Sequence, residues 1–361
     1  MRLINTNLMF LDAAALKRGK DETLPLAQAP ENVWLLSCAR DGLSHIAKTL
    51  PVETKRVMIP AYTCDTVALP FTEEGWTCNY FAVDEHMRID AEHFRGLLKY
   101  FKPDVVVMHP FYGMDLNESE QALLKEAHDQ GCFVVEDLTH SLFSSYRYDF
   151  VDAYVGSVRK WINIPDGGFY ESTVLPGPDM ETLEEREDSV KYAKDQLYLR
   201  DLWRKTGDEN LRLIAGRLDK LLTASNRNGW GPYRMSDFSR RLLVGEDPAA
   251  NNAQRLANAR YLYEKLKDSK RVKMPYTCVE DISTGPLWFP VYVTDQDRKA
   301  LQKEVFKPNG VTAIGLWPLH IPATAVNDTV QYIYDHILVF PCGQMYNEED
   351  MQYIVDLIER T

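Results

Sequence analysis

The sequence predicts an α/β fold with a mainly parallel sheet, and two observations support this prediction. Short apolar runs alternate with amphipathic helical segments through the first half of the chain, which is the pattern of βαβ units covered by helices on both faces. With 361 residues, the chain can also form more than one domain. We expect a large domain over residues 1–235 and a smaller C-terminal α+β domain over residues 236–361.

Seven apolar runs are the predicted strands of the large domain. They are NVWLLSC (32–38), RVMIPAY (56–62), CNYFAVD (78–84), DVVVMHPF (104–111), CFVVED (132–137), DAYVGSV (152–158) and GGFYESTV (167–174). Helices are predicted between them, for example over residues 66–75, 91–101 and 117–131. In the last of these, Asn117 can cap the first turn and Gly131 can end the helix.

Residues 178–226 depart from this alternation and are predicted to be a helical insertion. They are rich in charge, and Leu211, Ile214, Leu218 and Leu221 recur at helical spacing, which indicates helices with one core-facing stripe. The segments that follow mix helical and strand patterns and predict the smaller domain. They are residues 251–268, 285–294, 297–310 and 347–360.

The composition excludes several classes of function. A formal net charge of −12 argues against a general nucleic-acid binder, which needs a basic face. The six cysteines are scattered without a C-x-x-C pair, so neither a metal site nor a disulfide framework is expected. The chain has no apolar run of membrane-spanning length, and its start lacks the order of a signal peptide, so a cytoplasmic location without membrane attachment is expected.

The residues that follow the strands are the candidates for function, because parallel sheets bind ligands beyond the carboxyl ends of their strands. Asp137 ends one buried run, and His140 follows it closely. A carboxylate in this place is costly unless it meets a positive partner. Two structural alternatives stay open, since Asp137 can cap the following turn and His140 can be a core residue.

Lys160 lies between a predicted strand and the glycine pair 167–168. A lysine that loses its charge is a nucleophile able to form a Schiff base with an aldehyde. The small residues of SCARDGL (37–43) predict a turn into a helix whose first amides can bind an anion. Pyridoxal phosphate (PLP) requires such a lysine, an aspartate against its ring nitrogen, a phosphate site and a flat ring contact. The combination of Lys160, Asp137 and this turn therefore predicts a PLP enzyme.

The sequence resembles the DegT-like family of PLP-dependent nucleotide-sugar aminotransferases from about residue 33 to the C-terminus, apart from the insertion. The motifs behind this resemblance are SCARDGL (37–43), IPAYTCDT (59–66), HPFYG (109–113), VVEDLTHS (134–141), SVRKWINIPDGG (157–168), YRMSDF (233–238) and LWPLH (316–320). The resemblance implies the aspartate aminotransferase-type fold, PLP-dependent transferase fold type I, with a seven-stranded sheet.

The resemblance also implies roles for individual residues. Lys160 would be the catalytic residue that holds PLP as a Schiff base, and Asp137 would contact the pyridine nitrogen. His140 would occupy the position usually held by glutamine near the ring hydroxyl. The backbone amides of Arg40 and Asp41 would bind the phosphate.

Further cofactor contacts are expected from Ser157 and Thr63 through their hydroxyl groups, but the chain departs from the family pattern nearby. The commoner family serine is replaced by Val155, and the usual stacking aromatic by Cys64, so the ring contact would come from Tyr62 or from elsewhere. Pro232 replaces an asparagine that commonly reaches a neighbouring subunit's phosphate. Four residues are weaker candidates for substrate binding, with core packing as the alternative for each: Tyr112, Trp161, Arg234 and His320.

The function implied by the resemblance is transfer of an amino group from an amino acid, expected to be glutamate, to a nucleotide-linked keto-sugar in amino-sugar or surface-polysaccharide biosynthesis. A homodimer with its site at the subunit boundary is also implied. Two alternatives stay open: another PLP reaction on the same scaffold, such as sugar dehydration, and a non-catalytic binding protein with this fold. A dinucleotide-binding dehydrogenase is disfavoured because no G-x-G-x-x-G follows the first strand.

Overall fold

The computed structural model describes residue 4 and residues 10–227, 231–294 and 296–360. The strands within these ranges are β1 (Val33–Leu36), β2 (Arg56–Pro60), β3 (Thr77–Phe81), β4 (Val105–Met108), β5 (Phe133–Asp137), β6 (Ala153–Gly156), β7 (Gly168–Glu171), β8 (Val272–Lys273), β9 (Trp288–Val293) and β10 (Ile337–Pro341). All seven strands predicted for the large domain are present, each shorter than its apolar run.

The α-helices of the same ranges are α1 (Ala13–Lys20), α2 (Ala39–Thr49), α3 (Asp65–Glu73), α4 (Ala91–Tyr100), α5 (Glu118–Asp129), α6 (Glu187–Thr206), α7 (Glu209–Arg227), α8 (Asp237–Leu243), α9 (Pro248–Leu266), α10 (Arg298–Leu301), α11 (Asp328–His336) and α12 (Glu348–Glu359). Asn117 caps α5 as predicted, because its side chain accepts a hydrogen bond from the Glu120 N–H. Gly131 follows the helix with φ 92°, a left-handed conformation that glycine adopts at little cost.

The first seven strands form one sheet in the order β1-β7-β6-β5-β4-β2-β3. The pairs β2–β3, β2–β4 and β4–β5 are parallel, whereas β7 is antiparallel to both β1 and β6. The predicted α/β class with a mainly parallel seven-stranded sheet is therefore confirmed. A second, antiparallel sheet has the order β10-β9-β8.

The chain divides into two compact units. The first unit comprises residues 1–6, 52–151 and 248–361. It contains strands β2 to β5, the three-stranded sheet and the helices α3–α5 and α9–α12. All four residues of β4 are buried, as expected for a parallel strand that is covered on both faces. The predicted domain boundary at residue 235 stays a prediction.

The second unit comprises residues 7–51 and 152–247. It contains β1, β6 and β7, and α2 packs on β6 and β7. The predicted insertion is a hairpin of the two long helices α6 and α7, which pack against each other. Gly207 ends α6 in the left-handed conformation, with φ 72° and its N–H donated to the Trp203 carbonyl at 2.7 Å.

Among the described helices, none combines the length and the apolar character that a membrane crossing needs.

Candidate active site

Asp137 is the last residue of β5 and is 5% exposed. Its Oδ1 accepts a hydrogen bond from the Thr139 N–H at 2.9 Å and so begins the 3-10 turn Leu138–His140. Oδ2 has no hydrogen-bond partner among the described residues. The carboxylate therefore caps the turn with Oδ1, which is one of the structural alternatives that the sequence left open. Its Oδ2 can accept a hydrogen bond from a ligand.

His140 closes that turn and lies within a group of rings that we call the aromatic cluster. Its members are Tyr62, His109, Phe111, Tyr112, His140, Trp288 and Trp317. Trp317 stacks on His140 with ring centroids 5.0 Å apart and planes 19° apart. The Tyr112 ring also packs on His140, with centroids 5.0 Å apart and planes 39° apart. Trp288 meets His140 edge-on, with centroids 5.5 Å apart. His140 is thus buried within aromatic contacts at the end of β5.

Tyr62 follows β2 and is fully buried. Its hydroxyl lies 2.9 Å from the Tyr112 hydroxyl and donates to the Leu316 carbonyl at 3.3 Å. Burial raises the pKa of both tyrosines well above the ordinary value, so both are neutral donors and acceptors. The ring of Tyr62 is covered by Phe111, Trp317 and Tyr334. Tyr62 is therefore an internal member of the cluster.

Thr63 and Cys64 complete the segment after β2. Thr63 is fully buried, and its Oγ1 has no hydrogen-bond partner among the described residues. Cys64 is partly exposed at the start of α3, and its thiol accepts from the Thr66 hydroxyl at 2.9 Å. A buried hydroxyl without a partner is uncommon in folded proteins, so Thr63 is suited to a ligand oxygen or to a water.

In the second unit, side chains of the same unit accept hydrogen bonds from the backbone N–H groups at the N-terminus of α2. The Ala39 N–H donates to the Ser157 hydroxyl at 3.0 Å, and the Cys38 N–H donates to Asp41 Oδ2 at 3.1 Å. The Asp41 N–H, predicted as a phosphate donor, reaches the Cys38 carbonyl at 3.1 Å. Gly168 of β7 lies so near that a Cβ there would overlap the backbone of Cys38.

The Asp41 carboxylate is 1% exposed, and burial raises its pKa. Arg186 opposes this shift, because its Nη2 lies 3.5 Å from Asp41 Oδ1, and the Ser37 hydroxyl also donates to the carboxylate. Arg186 immediately precedes α6 and stacks its guanidinium over the Tyr233 ring at 4.0 Å. The insertion thus supplies a buried cation beside the start of α2.

Arg159 is a second cation in this region that sequence reasoning missed. Burial lowers its pKa, while the nearby Cys38, Asp166 and Asp41 raise it and Arg40 lowers it further. The guanidinium of Arg159 makes no hydrogen bond or ion pair with a described residue. The only local signal for Arg159 was its place beside Lys160, and Arg186 had none, because its partner Asp41 is distant in sequence.

Lys160 ends the 3-10 turn Val158–Lys160, directly after β6, and is partly exposed. Its backbone N–H donates to the Ser157 carbonyl at 3.3 Å, and the Arg159 N–H donates to Gly167 at 3.0 Å. Asp166, on the loop that follows, accepts from the Ser236 N–H at 2.9 Å, and burial raises its pKa to about 6. This loop is therefore tied to the start of α8.

The four residues predicted to bind substrate differ in their surroundings. Trp161 is 1% exposed, and Tyr112 is fully buried in the aromatic cluster. Both therefore agree with the alternative that they are core residues. Arg234 is ion-paired with Glu185 and with Asp237, each at 2.9 Å. His320 is partly exposed, and its Nε2 has no hydrogen-bond partner among the described residues.

These donor sets fit PLP. The open oxygen of Asp137 can accept from a protonated ring nitrogen, and the buried hydroxyl of Thr63 can meet a polar atom of the group. In the second unit, Ser157, Arg159 and the start of α2 together offer a hydroxyl, a guanidinium and helix dipole for a phosphate.

No family model and no curated protein matches the sequence. Solved structures match the fold over the whole chain. The sugar aminotransferase CalS13 from Micromonospora echinospora has a TM-score of 0.67 at 18% identity, with 98% of this chain and 99% of that chain covered. Spr1654 from Streptococcus pneumoniae, described as a sugar aminotransferase and solved in its PMP form, has a TM-score of 0.70 at 13% identity, with 100% and 97% covered.

The chain has the fold of the sugar aminotransferases. A DegT DnrJ EryC1 StrS aminotransferase from Brucella abortus agrees with this, with a TM-score of 0.61 at 15% identity and coverages of 97% and 90%. The predicted resemblance to DegT-like sugar aminotransferases is confirmed at the level of the fold. The fold type that the family resemblance implied, PLP-dependent transferase fold type I, is therefore confirmed.

Proposed function

We propose that the protein is a PLP-dependent sugar aminotransferase that takes an amino group from an amino acid, expected to be glutamate, and gives it to a nucleotide-linked keto-sugar. The observation that supports this most is the place of Lys160, directly after β6 of a chain with the full-length fold of sugar aminotransferases. The bound PLP supplies an aldehyde and an electron-accepting ring, which stabilise negative charge on the carbon that is being deprotonated.

Lys160 is the proposed catalytic residue. Its Nζ would hold the cofactor at the aldehyde carbon, and the amine freed by an amino donor would take the proton from the donor's α-carbon as a general base. The same amine returns a proton in the half-reaction with the sugar. Partial exposure suits both tasks, because donor and acceptor must reach Nζ in turn.

Asp137 is proposed to hold the ring nitrogen. An ionised carboxylate favours the protonated form of a neighbouring nitrogen, and Oδ2 is the oxygen left open by the capping bond to Thr139. His140 is assigned to the ring hydroxyl, and Thr63 to a polar contact through Oγ1. Cys64, partly exposed after β2, is assigned to the edge of the ring.

The phosphate is assigned to the start of α2, where Ser157 and the amides of Arg40 and Asp41 were expected to bind it. Arg159 joins this set, since a guanidinium with a lowered pKa gains from an anionic partner. Arg186 is assigned a positioning role, because its contact with Asp41 partly neutralises the carboxylate that lies at the same helix end.

His320 is assigned to substrate binding, because the residue is partly exposed and its buried Nε2 has no hydrogen-bond partner among the described residues. Tyr112 and Trp161 are assigned to core packing. Arg234 is assigned to the substrate side, where its ion pairs with Glu185 and Asp237 would hold it in place. We also propose a homodimer, following the dimeric sites of the resembled family.

The test is covalent attachment. The purified protein is loaded with PLP, reduced with borohydride and digested, and the cofactor should be found on the peptide that contains Lys160. Lys160→Ala should abolish this label and amino transfer, while Lys125→Ala, at an exposed lysine paired with Asp129 at 2.9 Å, should change neither. A folded Lys160→Ala variant that still turns over would contradict the proposal, and a colourless protein that ignores PLP would favour the non-catalytic alternative.

A further inference from the structure

Trp317 differs from the other members of the aromatic cluster in its exposure. The other six rings of the cluster are between 0% and 8% exposed, whereas Trp317 is partly exposed. It contacts Tyr62 with centroids 4.9 Å apart and stacks on His140 at 5.0 Å. Within the cluster as defined, Trp317 is thus the ring through which the stack can meet a ligand.

The backbone of Trp317 is held in an unfavourable conformation. Its φ is 61°, in the left-handed region that is costly for a bulky residue, and it precedes Pro318, which restricts the preceding residue further. Such conformations persist only where the surroundings impose them, and they concentrate at ligand sites. The indole stacks on His140 in this conformation, although an extended backbone would cost less energy.

The sequence offered Tyr62 as the ring contact, because Cys64 replaces the usual stacking aromatic. Tyr62 is fully buried, and its faces are already occupied by Phe111, Trp317 and Tyr334. Cys64 has no ring. A planar ligand in this unit therefore lacks an aromatic partner from the β2 segment.

We propose that Trp317 is the residue that stacks on the pyridine ring of PLP. His140 and Trp317 are nearly parallel and Trp317 is partly exposed, so the indole is already oriented to stack with a planar group. Asp137 and His140 bracket a single 3-10 turn, which places the carboxylate for the ring nitrogen and the base of the stack on one rigid element. A ring protonated at nitrogen is cationic, and an indole is the best aromatic partner for a cation.

This inference rests on the proposed function and is tested by cofactor binding to the apo-protein. Trp317→Leu removes the ring, and the dissociation constant of PLP, measured by equilibrium dialysis, should rise about three- to tenfold. Trp317→Phe keeps a ring and should stay within about threefold of the wild type. Trp203→Phe makes the same change at a partly exposed tryptophan of α6 and should have no effect on binding.

A second readout separates stacking from a structural role. Excitation of indole in the loaded protein should give cofactor emission by energy transfer, and this emission should fall more in Trp317→Phe than in Trp203→Phe. Melting curves of the apo-proteins check that the variants fold.

Three results would overturn the assignment. Equal PLP affinity and equal transfer in Trp317→Leu and the wild type would remove Trp317 from the cofactor. A change confined to the KM of the sugar would make Trp317 a substrate contact instead. If the wild-type chain takes up no PLP and borohydride labels no lysine, the proposed function fails as well. The first two results would leave the proposed function intact.

Discussion

Arg186 and Asp41 form a buried ion pair, 3.5 Å between Nη2 and Oδ1, with side chains only 7% and 2% exposed. The pair joins the residue that precedes α6 to the first turn of α2. Because the carboxylate lies beside the amides assigned to the phosphate, its charge opposes an anion there. Arg186 offsets that charge, so the insertion contributes to the electrostatics of the candidate phosphate site.

We predict that Arg186→Ala destabilises the protein by about 3 kcal/mol, because a buried carboxylate loses its charged partner. Urea unfolding at pH 7 measures this change. The control is Arg212→Ala, which removes an exposed pair with Glu209 and should cost less than about 1 kcal/mol. Equal losses in the two variants would show that the Asp41–Arg186 pair has no special role.

Asp137→Asn is predicted to separate binding from catalysis. The variant should still attach PLP to Lys160, as judged by borohydride labelling, because the amide keeps the shape of the side chain. Amino transfer should fall by roughly 10²-fold or more, since the ring nitrogen loses the charge that keeps it protonated. Asp129→Asn, at an exposed residue of α5, should transfer at the wild-type rate. Normal turnover by Asp137→Asn would exclude the assigned role.

The strands and the strand-end residues could be predicted because their signals are local. The run VVVM of β4 indicates a buried strand by itself, and Asp137 and Lys160 each follow an apolar run. The antiparallel place of β7 beside β1 and the pairing of Arg186 with Asp41 depend on contacts between distant segments, which no local pattern encodes. Trp317 is a similar case, because LWPLH contains no signal that its indole lies on His140.

Glu136 gives a pH-dependent prediction. Burial raises its pKa to about 8 from an ordinary value of 4.5, and its Oε2 has no hydrogen-bond partner among the described residues. The folded chain therefore holds a proton that the unfolded chain releases between these pH values. The contribution of Glu136 to the unfolding free energy falls as pH rises through this window, by at most about 1.4 kcal/mol per pH unit.

Glu136→Gln should remove this decline, so the variant gains stability relative to the wild type between pH 5 and pH 9. Urea unfolding at both pH values measures the gain, and any constant cost of the amide cancels in the comparison. Glu126→Gln, at a residue 37% exposed, is the matched control and should show no such change. If the unfolding free energies of Glu136→Gln and the wild type differed by the same amount at both pH values, Glu136 would be ionised in the folded protein at neutral pH.

Arg159→Ala tests the phosphate assignment directly, because PLP and pyridoxal differ only in the phosphate. The affinity for PLP should fall roughly tenfold or more, as expected for loss of a charge-assisted hydrogen bond, and the affinity for pyridoxal should stay near the wild-type value. Arg204→Ala, at an arginine 53% exposed on α6, should leave both affinities unchanged. An equal loss for both ligands would mean that Arg159 supports the fold around Lys160 without contacting the phosphate.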